Sequence, residues 1–216
     1  MADDLKYGYK GAEPTQSFGN NTGVFDPNDI NNLIADNKWT SFGQLELIET
    51  QTVSSVSFVD FKESDGTFDT SYNVHFLTIN NLTTVNDEVW MRAKFYESGV
   101  LETASVYQYA HQYGFATGTF GEGKGTSSGS IQFGANVGNA TSESGASYLY
   151  FYNLGDSSKY SFATYQDVSV NQSHYFLMNF GSGVMTQAST VDGIQFSLTS
   201  GNIETADVSL YGIRYS

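Results

Sequence analysis

The residues that could support metal or acid–base chemistry are the chain's three histidines, His75, His111 and His174. No two of them have the spacing of metal ligands, and His75 and His174 lie beside aromatic residues in strand-like patterns. The chain has no cysteine, which excludes disulfides and thiolate zinc sites. We therefore expect the histidines to be packed or solvent-facing, and we predict no metal site from them.

Other catalytic patterns are weak. The stretch Gly121-Glu-Gly-Lys-Gly-Thr126 lacks the spacing of a phosphate-binding loop, and no helix is predicted after it. We expect residues 117–130 to form a flexible surface loop. The acidic residues are scattered rather than arranged as a glycosidase pair. The sequence therefore predicts no catalytic residue, no cofactor and no enzymatic activity.

Two acidic stretches have spacing that suits calcium, residues 26–29 and residues 65–69. Neither has the sequence of an EF-hand loop, so whether a calcium ion binds is left open.

The chain is strongly acidic. Its 9 basic and 23 acidic side chains give a formal charge of −14. Such a surface repels phosphate backbones and anionic lipid, which argues against nucleic acid and membrane as partners. No apolar run approaches the roughly 20 residues needed to span a bilayer. The same charge keeps a protein soluble at the outside of a particle.

The pattern from residue 44 onward is one of short strands. Glycine is abundant, with 22 residues against 2 prolines, and supplies most of the turns. About ten alternating segments follow one another at roughly ten-residue spacing, which is typical of a sandwich. Residues 147–153 are apolar on both faces, which predicts a central strand. We predict an all-β, jelly-roll-like antiparallel β-sandwich over residues 44–216.

The C-terminal residues predict a pair of neighbouring antiparallel strands. Alternating apolar residues flank a turn at residues 200–202. Gly212 lies inside the second strand, where a bulge or a close backbone approach is expected. The residues of this pair predicted to be in the core are Ile194, Phe196, Leu198, Val208, Leu210 and Ile213.

Residues 1–43 differ from the rest and predict an extended N-terminal arm with a short helix. Asp26 can cap that helix, with Pro27 at its first position. Two interpretations stay open, a strap packed on its own domain and an arm that docks on a neighbouring subunit. We favour docking, through the apolar side chains of Tyr7, Tyr9, Phe18, Val24, Phe25, Ile30 and Leu33.

Both ends of the chain carry a resemblance to a known family. The closing Ile194-x-Phe-x-Leu with Ser200-Gly-Asn-Ile, the final Val208-x-Leu-Tyr-Gly-Ile and the Gly23-Val-Phe lead-in resemble β-sandwich virion structural proteins of tailed, particularly marine, bacteriophages. The resemblance implies a tail-fibre or appendage subunit on the virion, assembled in the host cytoplasm. A capsid decoration protein and a carbohydrate-binding module are the alternatives. It also implies that the arm binds other virion proteins.

The aromatic residues, 15 Tyr and 16 Phe, exceed what one core requires. Rings on otherwise polar strand faces suit either subunit contacts or stacking on sugar rings of a host glycan. We favour subunit contacts in a homo-oligomer, with a trimer as the expected state. The candidate surface or interface aromatics are Trp90, Tyr107, Tyr109, Tyr113, Tyr150 and Tyr152.

Overall fold

The computed structural model describes residues 27–35 and 45–213, and leaves the side chain of residue 135 undescribed. Residues 27–35 form helix α1 (Pro27–Ala35), with Asp29 in its first turn. This position agrees with the predicted short helix. All the strands belong to one compact unit and α1 to a second, so each is described separately.

The larger of two sheets has eight antiparallel strands. From one edge to the other it contains β1 (Leu45–Val56), β13 (Ile203–Ile213), β3 (Val74–Thr84), β9 (Gly145–Tyr152), β10 (Ser161–Val170), β11 (Phe176–Met185), β6 (Tyr107–Phe115) and β7 (Phe120–Ser128). The strand predicted to be central, β9, lies between β3 and β10. That prediction is confirmed.

The smaller sheet is also antiparallel. Its strands are β2 (Phe58–Lys62), β12 (Val191–Leu198), β4 (Val89–Glu97) and β5 (Val100–Leu101), with β8 (Ile131–Val137) pairing along the first half of β4. A single 3-10 turn (Glu63–Asp65) follows β2. The predicted all-β antiparallel sandwich is confirmed.

The core lies between the sheets and follows from period-2 alternation. In β4, Val89, Met91, Ala93 and Phe95 are buried. Successive side chains of a strand point to opposite faces, so one face of each sheet supplies the core. The largest buried rings come from both sheets, namely Phe61, Phe95, Tyr107, Phe133, Phe151 and Phe196.

The predicted pairing of the last two strands is wrong. β12 lies between β2 and β4 in the smaller sheet, whereas β13 lies between β1 and β3 in the larger one. The turn at residues 200–202, with Gly201 at φ 70°, therefore carries the chain from one sheet to the other. The residues of a turn determine where the chain reverses direction, but they do not determine which strands pair with the two that the turn connects.

Most of the predicted core residues of these two strands are confirmed, although the predicted pairing is wrong. Ile194, Phe196, Leu198, Val208 and Leu210 are buried, as predicted. Ile213 is only half-buried, because alternation along β13 places it on the face away from the core.

The expectation for Gly212 is confirmed. A Cβ atom at this position would lie 2.4 Å from the ring of Tyr72, which is the predicted close approach.

The loop predicted over residues 117–130 is largely the edge strand β7. Its alternate glycines lie against aromatic side chains of β6. A Cβ on Gly121 would lie 2.4 Å from the Tyr113 ring, and one on Gly123 would lie 2.0 Å from His111 Nε2. Glycine here permits a close approach between strand and rings, so a composition typical of a loop forms a strand instead.

Candidate functional site

The face of the larger sheet that points away from the core is rich in aromatic residues. Along β9, Leu149 and Phe151 are buried, so Tyr148, Tyr150 and Tyr152 project from the opposite face. The strand pairing continues this arrangement. Tyr150 lies opposite Phe76 of β3, and Tyr152 lies opposite Phe162 of β10.

Several of these rings are in mutual contact. We define the aromatic patch as Phe76, Tyr148, Tyr150, Tyr152, Phe162 and Tyr211. The Phe76 ring centroid lies 4.6 Å from that of Tyr150, 6.0 Å from that of Tyr211 and 6.2 Å from that of Tyr148. These separations are those of interacting aromatic pairs. Because the rings support one another across β13, β3 and β9, they form an ordered surface.

Formal charge is absent from the outward side chains of five adjacent strands, β3 up to Asn80, β9, β10, β11 and β6. The one acid in those segments, Asp167, is on the core side and accepts hydrogen bonds from Gly134 N and Asn179 Nδ2. A protein with a formal charge of −14 therefore presents an uncharged face.

Charged groups lie only at the margins of this face. Asp207 of β13 accepts hydrogen bonds of 2.7 Å from Thr52 and Asn81, which lower the pKa of its carboxyl group. On the edge strand β7, Lys124 pairs with Glu122 at 2.6 Å.

A groove runs along this face where β9 carries small residues. Ala146 lies at its base, between Asn80 of β3 and Val168 of β10. One half has a volume of about 270 Å³ and ends at Phe76 and Tyr148. The other half has a volume of about 290 Å³ and ends at Phe176. Both halves include Asn80, Ala146 and Val168, so they form one continuous groove.

A second depression of about 570 Å³ lies at the β6–β7 edge of the sheet. Phe120, Met178 and Phe180 supply its apolar lining, with Gln112 and Glu122 beside them. Phe120 is 74% exposed. This edge adds apolar surface beyond the aromatic patch.

Of the aromatics predicted to be on the surface, only Tyr150 and Tyr152 lie on the outward face. The prediction that Tyr107 lies on the surface is wrong, because its side chain is completely buried. Its hydroxyl donates to Glu102 O and accepts from Phe95 N, at 3.2 and 3.0 Å. Burial raises the pKa of this phenol.

Trp90, Tyr109 and Tyr113 are half-buried rather than free surface rings. Tyr109 and Tyr113 are on the same face of β6 as buried His111, which stacks on Trp90 with ring centroids 5.2 Å apart. Burial lowers the pKa of His111. Tyr109, His111 and Tyr113 pack on the glycines of β7, and Tyr113 also lines the depression at β6 and β7. The proposed contact role of Trp90, Tyr109 and Tyr113 stays a prediction.

The predicted arm residues Tyr7, Tyr9, Phe18, Val24 and Phe25 lie outside the described residues. Ile30 and Leu33 are half-buried residues of α1, three positions apart and therefore on one face of the helix. Their proposed docking role stays a prediction.

The acidic residues that the structure describes do not assemble into a metal site, since no group of three potential ligands is found among them. In the candidate calcium stretch, Asp65 pairs with Lys62 at 3.0 Å and Asp69 accepts a hydrogen bond from Ser71 N.

One carboxylate has a raised pKa, Glu97 at the end of β4. Burial and the neighbouring Glu102 and Asp192 cause this shift. Its two oxygens accept hydrogen bonds from Gln187 and Ser189. Both oxygens are therefore already engaged in structural contacts.

Comparison with known proteins finds no match. No known family matches the sequence, and no curated protein or solved structure matches the chain. Within the described ranges, no helix is long and apolar enough to cross a membrane.

Proposed function

We propose that the protein is a non-enzymatic structural subunit that assembles through the aromatic patch. The observation that supports this most directly is an uncharged sheet face that carries the aromatic patch, on a chain with a formal charge of −14. Large exposed apolar patches on soluble proteins mark interaction surfaces. Tyrosine and phenylalanine are also the side chains enriched at such surfaces.

The size of the face suits a protein–protein contact. Five strands about 4.8 Å apart, each with about four outward residues spaced about 6.8 Å, cover about 650 Å². A stable interface buries about 800 Å² per partner. The area still needed is supplied by the margins of the face, including the depression at β6 and β7.

A second copy of this chain is the partner that the charge distribution favours. Two such subunits repel each other wherever their acidic surfaces meet, and the uncharged face is where they approach without that penalty. We propose a homo-oligomer, with a trimer as the state that the family resemblance favours.

The setting proposed for this assembly is a virion, with the protein as a tail-fibre or appendage subunit built in the host cytoplasm. A capsid decoration protein is the second candidate. In both, the segment 1–43 is proposed to attach the subunit to other virion proteins.

Sedimentation velocity of the full chain over a wide concentration range tests the assembly. Phe162→Glu places a like charge in the patch and is expected to shift the protein to monomer. The matched control is Phe58→Glu on the smaller sheet, because Phe58 and Phe162 are similarly exposed, at 48% and 44%. We expect the control to associate as the parent protein does.

Two results would overturn the assembly proposal. One is a parent protein that stays monomeric at the highest concentration reached. The other is an equal effect of the two substitutions, since the aromatic patch would then have no special role. Thermal melting of both variants checks that each remains folded.

A further inference from the structure

The groove over Ala146 has a composition unlike that of the aromatic patch beside it. Its sides carry hydroxyl and amide groups, from Thr78 and Asn80 on β3 and from Gln166 on β10. Apolar rings lie at its two ends, Phe76 with Tyr148 at one and Phe176 at the other. Lysine and arginine are absent from its lining.

We propose that this groove binds a neutral oligosaccharide. The inference goes beyond the assembly role. Because Phe76 and Tyr148 belong to both the groove and the aromatic patch, the saccharide binds a subunit whose face is not covered by a second copy. A sugar ring presents apolar C–H faces and a rim of hydroxyl groups, so it requires a ring to stack on and uncharged donors and acceptors beside it. The groove places these two kinds of group side by side.

The donors and acceptors are held in position. Thr78, Tyr148 and Gln166 are paired across three adjacent strands. The Tyr148 hydroxyl donates to Gln166 Oε1 at 2.6 Å. This contact orients the Gln166 amide, whose nitrogen is left to donate to a ligand. Polar groups on neighbouring strands need little reorganisation when a ligand binds.

The dimensions suit a short glycan. Each half of the groove is close to the lower end of the range of about 300–1,000 Å³ typical of small-molecule sites. Together the halves form a trough rather than a closed cavity, which suits internal units of a chain as well as its end.

Charge selects the class of saccharide. Uronic and sialic acids carry carboxylates, which would require a cation in the groove and would be repelled by the acidic surface around it. A neutral saccharide meets neither penalty. We therefore expect discrimination between neutral and acidic glycans of the same length.

Affinity electrophoresis and titration calorimetry of the full chain, at concentrations at which sedimentation shows it to be monomeric, test the proposal. The probes are neutral gluco-, manno- and galacto-oligosaccharides, with an oligogalacturonate as the acidic comparison. We expect at least one neutral series to bind and the oligogalacturonate not to bind. Gln166→Ala and Asn80→Ala are each expected to raise Kd at least tenfold.

The matched control is Gln108→Ala, an exposed glutamine on β6 of the same sheet, outside the groove lining. Its Kd is expected to equal that of the parent protein. Failure of every neutral probe to bind at millimolar concentration overturns the proposal, as does an equal effect of Gln108→Ala and Gln166→Ala. Sedimentation of the parent protein without saccharide separates this outcome from a failure of the assembly proposal, because the oligomer should form whether or not any saccharide binds.

Discussion

His75 makes the stability of the sandwich depend on pH in a way that can be measured. Its side chain is completely buried, Nε2 donates to Asp69 O at 2.8 Å, and the ring stacks on Phe68 with centroids 4.4 Å apart. Among the described residues, Nδ1 has no hydrogen-bond partner. A proton added there would place a charge in an apolar site, and this burial lowers the pKa of His75 to about 4.

The direction of the effect follows from the lowered pKa. The unfolded chain takes up a proton near pH 6.5, whereas the folded protein resists uptake until about pH 4. The stabilisation is complete above about pH 6.5 and is lost as pH falls through about 4. Between about pH 7.5 and about pH 4.5, His75 alone should lower the free energy of unfolding by about 2.5 kcal/mol.

His75→Phe keeps a ring against Phe68 and removes the titration. It also leaves the Asp69 carbonyl group unpaired, which costs about 1–3 kcal/mol at every pH. Urea unfolding followed by circular dichroism across the pH range should therefore give a variant that is less stable at neutral pH but has a shallower decline in acid. Between about pH 7.5 and about pH 4.5 the parent protein should lose about 2.5 kcal/mol more stability than the variant.

Ile79→Val, a buried and uncharged change on the same strand, is the control. It should lower stability by about 0.5–1.5 kcal/mol at all pH values, giving a curve parallel to that of the parent protein. If the His75→Phe curve is also parallel, His75 is protonated in the folded protein or is not buried, and the reasoning fails.

Three further perturbations test the fold. Phe196→Ala empties a buried site whose ring lies 6.3 Å from that of Phe133, and should cost about 3–5 kcal/mol in urea unfolding. Gly123→Val should displace the His111 ring and lower the melting temperature, whereas Thr126→Val, at an exposed position of β7, should not. Deleting residues 1–43 should change the free energy of unfolding by less than about 1 kcal/mol, since the strands form a compact unit of their own. The deletion should also abolish the proposed attachment to other virion proteins.

The alternation of apolar and polar residues along the strands explains which parts of the fold could be predicted from the sequence. A period of two places Ile194, Phe196 and Leu198 on one face of β12 wherever that strand pairs, so their burial followed without knowledge of the topology. The central position of β9 followed from apolar residues on both faces. The partner of each strand did not follow, because β13 pairs with strands more than 100 residues away in the chain.

The tyrosines of β6 were predicted to be on the surface, but they lie on the side of the strand that faces the interior. In β6 the aromatic residues alternate with Gln108, Ala110 and Gln112, a pattern that identifies the aromatic side as the buried one. This alternation accounts for the burial of Tyr107 and for the half-buried positions of Tyr109 and Tyr113.

The glycines of β7 had no comparable signal in the sequence. These glycines make room for the aromatic side chains of β6, which occupy the positions that side chains at the glycines would take. The sequence of β7 does not show which strand lies beside it, so this role could not be predicted.

The distribution of aromatic residues gives the strongest argument for a partner. β9 has Leu149 and Phe151 on its core face and three tyrosines on its outward face. A monomer gains no stability from leaving such rings in water, and an apolar sheet face promotes nonspecific association. The formal charge of −14 opposes contacts between acidic surfaces, so in the proposed oligomer the uncharged face is the surface that meets the partner. Adding charge to that face should therefore abolish specific assembly and improve solubility at the same time, and Phe162→Glu is expected to show both effects.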